Sequence, residues 1–349
     1  MGATVRVALD VMGGDKAPAE TVLGAVQAAR EYGIGVYLVG REDVINAELA
    51  KHNVQGLDLP IVHTDEVIEM DEHPANAVRR KKKASMTMAL QLVRDGQALG
   101  AVSAGNSGAM MAASLFVLKR IKGVERPALG SVFPTKDRAC LVIDVGANTD
   151  CKPEYLQQFA LMGSIYMERI FHIPSPRVGL LANGEEESKG NQQVQETHQL
   201  LKMNAPTLGL NFVGNVEGRD IPAGSIDVVV CDGFVGNVVL KLSEGLAEAL
   251  LGMLRAEMTS SLPRKLAAAV LRPGLRKVGR KLDYAEYGGV PLLGVNGSAI
   301  VAHGRSNAKA IKNALRVARE TAETGVVTAI AGGLAKLATG GEEKQEAEV

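Results

Sequence analysis

The chain contains no tryptophan, and aromatic residues make up only 3% of it, so stacking platforms for bases or sugars are scarce. It also lacks any surplus of charge: 39 Lys and Arg balance 39 Asp and Glu in 349 residues. A general nucleic-acid binder carries a basic excess, so nucleic acid is excluded as a partner. The three cysteines, Cys140, Cys151 and Cys231, have no paired metal spacing. Two lie in or beside strand-like runs, where a thiol behaves as a small hydrophobe. Disulfides are not expected, which fits a reducing cytoplasm. His52, His63, His73, His172 and His198 are scattered without ligand spacing, so neither a metal nor another cofactor is expected. Apolar runs such as Ala109 to Leu118 fall far short of the roughly 20 residues of a membrane span. No export signal is read, because Asp10 interrupts the first apolar run.

What is present is an alternation of short apolar runs and helical patterns. Val5 to Leu9, Val36 to Val39, Ile61-Val62, Gly100 to Ser103, Ala139 to Val145, Val178 to Ala182, Val228 to Val230, Leu292-Leu293 and Ala299 to Val301 read as strands. Helices are predicted over Pro18 to Tyr32, Val44 to Leu49, Arg79 to Leu92, Ser107 to Ile121, Pro153 to Phe171, Asn191 to Met203, from Val238 to Met253, and from Ser306 to about Ala331. This rhythm predicts a three-layer α/β/α fold with a mainly parallel sheet, as one catalytic domain over 1–339 or two intimate lobes. The Glu-rich tail 340–349 reads as disordered. One segment breaks the rhythm. Leu262 to Leu282 carries Arg264, Lys265, Arg272, Arg276, Lys277, Arg280 and Lys281 without an acid, interleaved with Leu266, Val270, Leu271, Leu275 and Val278. With Pro273-Gly274 as its bend, it reads as a protruding basic helical hairpin inserted at about 255–288. Such a hairpin suits an anionic membrane surface or an acidic protein, or is a solvated pair packed on its own body.

Four strand ends run into small or polar residues and then a helical pattern. They are Asp10-Val11-Met12-Gly13-Gly14-Asp15, Ser103-Ala104-Gly105-Asn106-Ser107-Gly108, Gly146-Ala147-Asn148-Thr149-Asp150 and Asp232-Gly233-Phe234-Val235-Gly236-Asn237. A bare helix start offers amide donors and partial positive charge to an anion. A tight structural turn uses the same residues. In an open parallel sheet such turns gather at the carboxyl ends of the strands, and their convergence is the expectation here. No G-x-S-x-G elbow, Cys/His pairing or G-x-G-x-x-G fingerprint is present.

These loops, with Asn183-Gly184-Glu185-Glu186-Glu187-Ser188-Lys189-Gly190 and His303-Gly304-Arg305-Ser306, resemble the bacterial phosphate acyltransferase family, PlsX, in order from about Asp10 to Leu334. The resemblance implies transfer of a fatty acyl group from acyl carrier protein to inorganic phosphate, giving acyl phosphate for phospholipid synthesis. It implies a homodimer whose fold is related to the isopropylmalate dehydrogenase and phosphate acetyltransferase folds. Contact with an anionic membrane surface or a membrane-bound glycerol-phosphate acyltransferase goes with it, in a cytoplasmic, peripherally attached protein.

Phosphate is itself the nucleophile in such a reaction, so positioning and preorganised donors suffice and no covalent enzyme intermediate is needed. Lys189 is the candidate cation, on its match to the family's Glu-Ser-Lys-Gly pattern, with Glu185, Glu186 and Glu187 either orienting it or forming a solvated turn. Asp232 and Asn237 position phosphate-binding groups or cap the following helix. His303 serves the oxyanion or the leaving sulfur, or is a structural histidine. Gly13, Gly14, Asp15, Ser103, Gly105, Asn106, Ser107, Gly108, Asn148 and Gly233 are assigned to phosphate or pantetheine. Asp10 and Asp15 would repel phosphate and are expected to orient lysines or amides. The basic run Arg79 to Lys83 faces the site, docks the acidic carrier or is solvated. The chain departs from the family pattern at Lys83 and Ala84, which leaves Ser85 without an assigned role. Arg264, Lys265, Leu271, Arg272, Arg276, Lys277 and Arg280 are the candidate membrane or carrier contacts. Three rivals are weighed: a metal- and NAD-dependent decarboxylating dehydrogenase, a short-chain phosphate acetyltransferase using coenzyme A, and a non-catalytic membrane scaffold.

Overall fold

The computed structural model describes residues 6–136 and 138–346. The chain begins β1 (Arg6–Asp10), α1 (Ala19–Tyr32), β2 (Gly35–Gly40), α2 (Glu42–Leu49), β3 (Ile61–His63), α3 (Pro74–Arg80), α4 (Ser85–Arg94), β4 (Gly100–Ser103) and α5 (Ser107–Val117). It continues β5 (Ala128–Pro134), β6 (Ala139–Ile143), α6 (Pro153–Phe171), β7 (Arg177–Leu181), α7 (Gln192–Leu208), β8 (Asn211–Val216), α8 (Asp220–Ala223) and β9 (Val228–Val230). It ends α9 (Gly233–Met258), α10 (Leu262–Leu282), β10 (Val290–Leu293), β11 (Ser298–Val301), α11 (Ala308–Glu323) and α12 (Val326–Glu346). Among the described residues eleven strands form one sheet, ordered β3-β2-β1-β4-β11-β10-β5-β6-β9-β7-β8.

Side chains alternate across each strand, and both faces are buried. Val7 and Leu9 of β1 pack with α1 and α11, whereas Ala8 faces the layer holding α4 and α5. In β6, Leu141 and Ile143 meet α6 while Cys140 and Val142 turn to the other face. This is the three-layer arrangement the alternation predicts.

The sheet is not parallel throughout. The β5–β6 and β10–β11 connections are short, and a short connection forces antiparallel neighbours. Thr135 closes the first by hydrogen-bonding Arg138 through backbone and hydroxyl. These two hairpins meet through a third antiparallel pairing, β10 with β5. An odd number of reversals leaves β6, β9, β7 and β8 running opposite to β1, β2, β3, β4 and β11.

Four local expectations change. The basic run does not open one helix: α3 ends at Arg80, and α4 begins at Ser85, whose amide is taken by the Glu66 carbonyl. The last helix is two, broken at Gly325 with φ +70°. The tail read as disordered is helical to Glu346, because Ala, Leu, Lys and Glu around Gly340-Gly341 are good helix formers; residues 347–349 lie outside the described residues. The hairpin turns at Thr259–Ser261 and not at Pro273, which sits inside α10. The Thr259 and Ser260 hydroxyls bond back to the carbonyls of Arg255 and Glu257 and close α9 there. The hairpin arms are therefore α9 and α10, starting well before residue 255.

Candidate active site

The first cluster forms where β1, β4 and β11 end. Asp10, 2% exposed, accepts the Ser85 hydroxyl at 2.6 Å, the Ser103 hydroxyl at 2.7 Å and the Met12 amide at 3.2 Å. Burial pushes its carboxyl above the ordinary range, against the pull of those donors. Ser103 also accepts the Gly105 amide at 3.1 Å, so one buried carboxylate ties three segments together. A Cβ on Gly13 would meet the Gly105 nitrogen at 2.7 Å, so only glycine lets the two loops touch backbone to backbone. The Asp15 amide donates to the Gly304 carbonyl at 2.8 Å, which joins the loop of His303 to the same cluster. Asp15 and His303 are exposed.

Two of the assigned polar side chains here are committed to the fold. The Ser103 hydroxyl is spent on Asp10. Asn106 caps α5 by accepting the Ala109 amide at 3.0 Å and donates to the carbonyls of Met70 and Glu72. The α5 amides of Ser107 and Gly108 remain outside that cap. The basic run abuts this cluster: Lys81 and Arg80 pair with Glu72, and Arg79 lies over the Phe116 ring at 5.7 Å. Asp10 orients hydroxyls and amides, as expected, but no lysine. Ser85, unassigned from sequence, is one of its direct partners.

The second cluster forms where β6 and β9 end. Asp144 is fully buried and accepts the amides of Leu129, Gly146, Ala147 and Asn148, plus the Asn148 side chain at 2.9 Å. Burial again raises its carboxyl. The Asn148 carbonyl then takes the Gly233 amide at 2.7 Å, and Asp232 caps α9 by accepting from Val235 at 2.8 Å. Asn237 lies 3.8 Å from where a Cβ on Gly146 would stand. So Asn148, Asp232, Gly233 and Asn237 share one corner, with Asp144 as its pivot. Asn148 donates to the Pro127 carbonyl as well, so its side chain is also structural. Burial first, then the carboxylates of Asp144 and Asp232, push the neighbouring Cys151 thiol up to about 12. It stays protonated and is a poor nucleophile.

Lys189 follows β7, on the same sheet edge. Its N–H donates to the Glu186 carbonyl at 3.0 Å, and the Gly190 amide donates to Asn183 at 2.8 Å. The lysine stem lies over Gly184, where a Cβ would stand 2.7 Å from Lys189 Cγ. The acids beside it are occupied elsewhere: Glu185 pairs with Arg219 and Glu187 with Lys202. Among the described residues no carboxylate pairs with the Lys189 ammonium.

The two clusters sit side by side across the sheet. β7 and β9 run opposite to β1 and β4, but the halves are staggered: the register carries Ser103 across Val301, Val290 and Ser131 to Val142 and Val229, so the carboxyl ends of β4, β6 and β9 stand at nearly the same level of the sheet. β4 and β9 are also five strand steps apart, about 24 Å across the sheet. The four turns therefore lie at one level of the sheet in two groups, with the antiparallel strands β10 and β5 between them.

The basic hairpin grows from the second corner, where α9 starts, and its second arm is α10. Leu262, Leu266 and Val270 form one exposed stripe on α10, Leu262 at 72% and Val270 at 80%. Lys265, Leu271, Arg272 and Arg276 are exposed, and Arg264 pairs with Glu257. The side chains of Lys277 and Arg280 lie outside the described residues. Val238, Leu242, Leu246 and Leu250 form a second exposed stripe on α9. Among the described residues no helix is long and apolar enough to cross a membrane, and no group of three His, Cys, Asp or Glu could hold a metal ion.

Comparison with known proteins places this geometry. The family described as "Fatty acid synthesis protein" matches residues 5–329. A "Phosphate acyltransferase" of Geobacter sulfurreducens is 55% identical over 322 residues, 92% of each chain. One of Trichlorobacter lovleyi is 54% identical over 327 residues, 94% of each chain. Among solved structures, the EutD phosphotransacetylase from Staphylococcus aureus superposes with a TM-score of 0.62 at 17% identity, covering 91% of this chain and 94% of that one. That likeness is one of fold.

Proposed function

Because the chain belongs to the phosphate acyltransferase (PlsX) family, we propose that it moves a long-chain fatty acyl group from acyl carrier protein to inorganic phosphate. The acyl phosphate product feeds phospholipid synthesis. A phosphate oxygen attacks the thioester carbonyl carbon, the C–O bond forms, the C–S bond breaks, and the pantetheine thiolate leaves and takes up a proton. The observation that carries this reading is Lys189: its backbone is pinned, its stem is laid over Gly184, and no neighbouring glutamate takes its ammonium. A positioned cation without a counter-ion suits a bound dianion and the charge that develops on the carbonyl oxygen. His303 serves the oxyanion or the leaving sulfur.

The working unit is a homodimer. In it the loops after β6, β7 and β9 of one copy face the loops after β1, β4 and β11 of its partner, which reunites the two corners. Two features support it: the lateral distance between the two groups of loops, and the apolar stripe on α9 that no other element covers among the described residues. The exposed leucines and arginines of α10 rest on an anionic membrane surface, where the product is consumed. Purified protein with phosphate and long-chain acyl carrier protein is expected to yield acyl phosphate, trapped by hydroxylamine, and Lys189→Ala is expected to lose turnover without unfolding. Product only from acetyl-coenzyme A would replace the carrier-protein donor, and product from neither donor would overturn the reading. Mixing Lys189→Ala with Asp10→Ala protein is expected to restore activity that neither has alone; no restoration would return both corners to one chain.

A further inference from the structure

His198 lies on α7, 3% exposed, and has no part in the chemistry above. Its Nδ1 is 2.9 Å from the Asn215 side-chain oxygen. That oxygen only accepts, so Nδ1 carries the proton and donates. Asn215 Nδ2 in turn donates to the Glu186 carbonyl at 2.8 Å, and the same carbonyl accepts the Lys189 N–H at 3.0 Å. A buried imidazole is therefore joined by two hydrogen bonds to the peptide group that anchors Lys189.

The fold is shaped to make this link. β8 carries a bulge opposite Val178 and Gly179, with Gly214 at φ +99°, a conformation glycine adopts readily. The extra residue shifts the register by one and re-aims Asn215, which is 5% exposed, toward α7. Phe212 holds the imidazole edge-on at 5.4 Å between ring centres. Nε2 faces Glu187 at 3.6 Å, and Glu187 is paired with Lys202 at 2.6 Å. A polar pair buried so completely is costly unless every partner is present. An apolar pair of similar volume would pack α7 on β8 without that cost, but it would leave the Glu186 carbonyl held by the Lys189 N–H alone.

We propose that His198 and Asn215 are positioning residues that set where the Lys189 ammonium stands. The proposal rests on the reading of Lys189 as the cation for phosphate. Three variants test it. His198→Leu keeps bulk and removes the donor; His198→Asn returns an N–H close to the Nδ1 position; Asn215→Leu breaks the link from the β8 side. Losing one buried hydrogen bond corresponds to about a tenfold effect, so His198→Leu and Asn215→Leu are expected to show about tenfold lower kcat with KM for the acyl donor unchanged. Amide exchange at Lys189 and Gly190 is expected to quicken by a similar factor, while exchange in β9 is unaltered. His198→Asn is expected to restore most of the lost kcat. Equal impairment of the Asn and Leu variants would reduce His198 to packing and overturn the proposal. So would unaltered exchange and turnover in His198→Leu, with the Lys189 reading left standing. Full turnover by Lys189→Ala would instead remove that reading and with it the purpose of the link.

Discussion

Replacing Gly184 with alanine separates the placement of Lys189 from the stability of the fold. The new Cβ would stand 2.7 Å from Lys189 Cγ, 3.1 Å from its Cδ and 3.0 Å from a Glu186 carboxylate oxygen. All three atoms belong to flexible, exposed side chains, which can give way without the backbone moving. Gly184 is not among the glycines with positive φ, so alanine fits its backbone and narrows the unfolded ensemble, worth about 0.4–1 kcal/mol in favour of folding. The lysine stem must retreat by about 1 Å to regain the roughly 3.7 Å spacing of touching carbons. A displacement of about 1 Å at a group that holds a reactant costs about a hundredfold in rate. Gly184→Ala is therefore expected to melt at or above the wild-type temperature and to make acyl phosphate about a hundredfold more slowly. Thermal unfolding and hydroxylamine trapping on one preparation read both quantities. A stable variant with wild-type turnover would refute the claim that the stem's seat on Gly184 sets the rate. A variant that loses activity only by melting early would refute the claim that the loop absorbs the methyl group.

Gly236→Ala is expected to do the opposite, because a Cβ there overlaps the Asp144 carbonyl oxygen and comes within 3.0 Å of Cys231 Sγ. Overpacking against fixed backbone costs about 1–3 kcal/mol or more; an unchanged denaturant midpoint would mean that the start of α9 is free to slide. The buried carboxyls predict a pH dependence. Asp10 is raised by burial, so the folded state binds its proton first and gains stability as pH falls through its folded value toward the ordinary range, after which the gain is constant. Asp227 is opposite: burial would raise it, but Arg177 at 2.9 Å outweighs this and holds it low, so its contribution is lost as pH falls through the folded value. Asp10→Asn removes the Asp10 contribution and leaves those of Asp144 and Asp227, so the stability difference from wild type is expected to change as pH falls toward the ordinary carboxylate range of about 4; a constant difference would contradict the burial argument. On α10, Arg272→Ser with Arg276→Ser is expected to weaken binding to anionic vesicles by about 2 kcal/mol, or some thirtyfold. Equal binding by the double variant would take the hairpin off the membrane.

The strands β1, β2, β4, β6, β7 and β9 were legible because both their faces are buried, which leaves an uninterrupted apolar run. β8, Asn-Phe-Val-Gly-Asn-Val, was not, since it is an edge strand with a bulge and a buried asparagine. β5 was missed too: Gly130 and Ser131 dilute its pattern, although every residue through Phe133 is buried. Missing β5 hid the hairpin and with it the reversal of strand direction. The motif loops lie at strand ends, Asp232 makes the helix cap that was one of its two readings, and Asp10 orients an amide; other polar atoms were harder to read. Small polar residues at a strand end read alike whether they face a ligand or cap a helix, and Asn106 and Asn148 turn out to be spent internally. The His198–Asn215 pair left one usable trace, an asparagine inside a strand and a histidine on the buried face of a helix. Separation of 17 residues put the two beyond any local pattern.

Both corners are built by the same device, and it explains why so few groups are left for phosphate. At the end of β1 and again at the end of β6, a buried aspartate collects the nearby amides and hydroxyls. Asp10 fixes the start of its loop and Asp144 fixes almost all of the next turn. Each carboxyl is held above its ordinary range, so folding works against the desolvation of a charge to keep these loops rigid. A donor bonded to a buried carboxylate cannot also bind a dianion. Among the described residues the α5 amides of Ser107 and Gly108 and the Lys189 ammonium are donors that these carboxylates do not take. The aspartates make the cradle stiff, and the one long, mobile cation must then be steadied separately. That division of labour is why the Lys189 loop has its own supports in Asn183, Gly184 and Asn215.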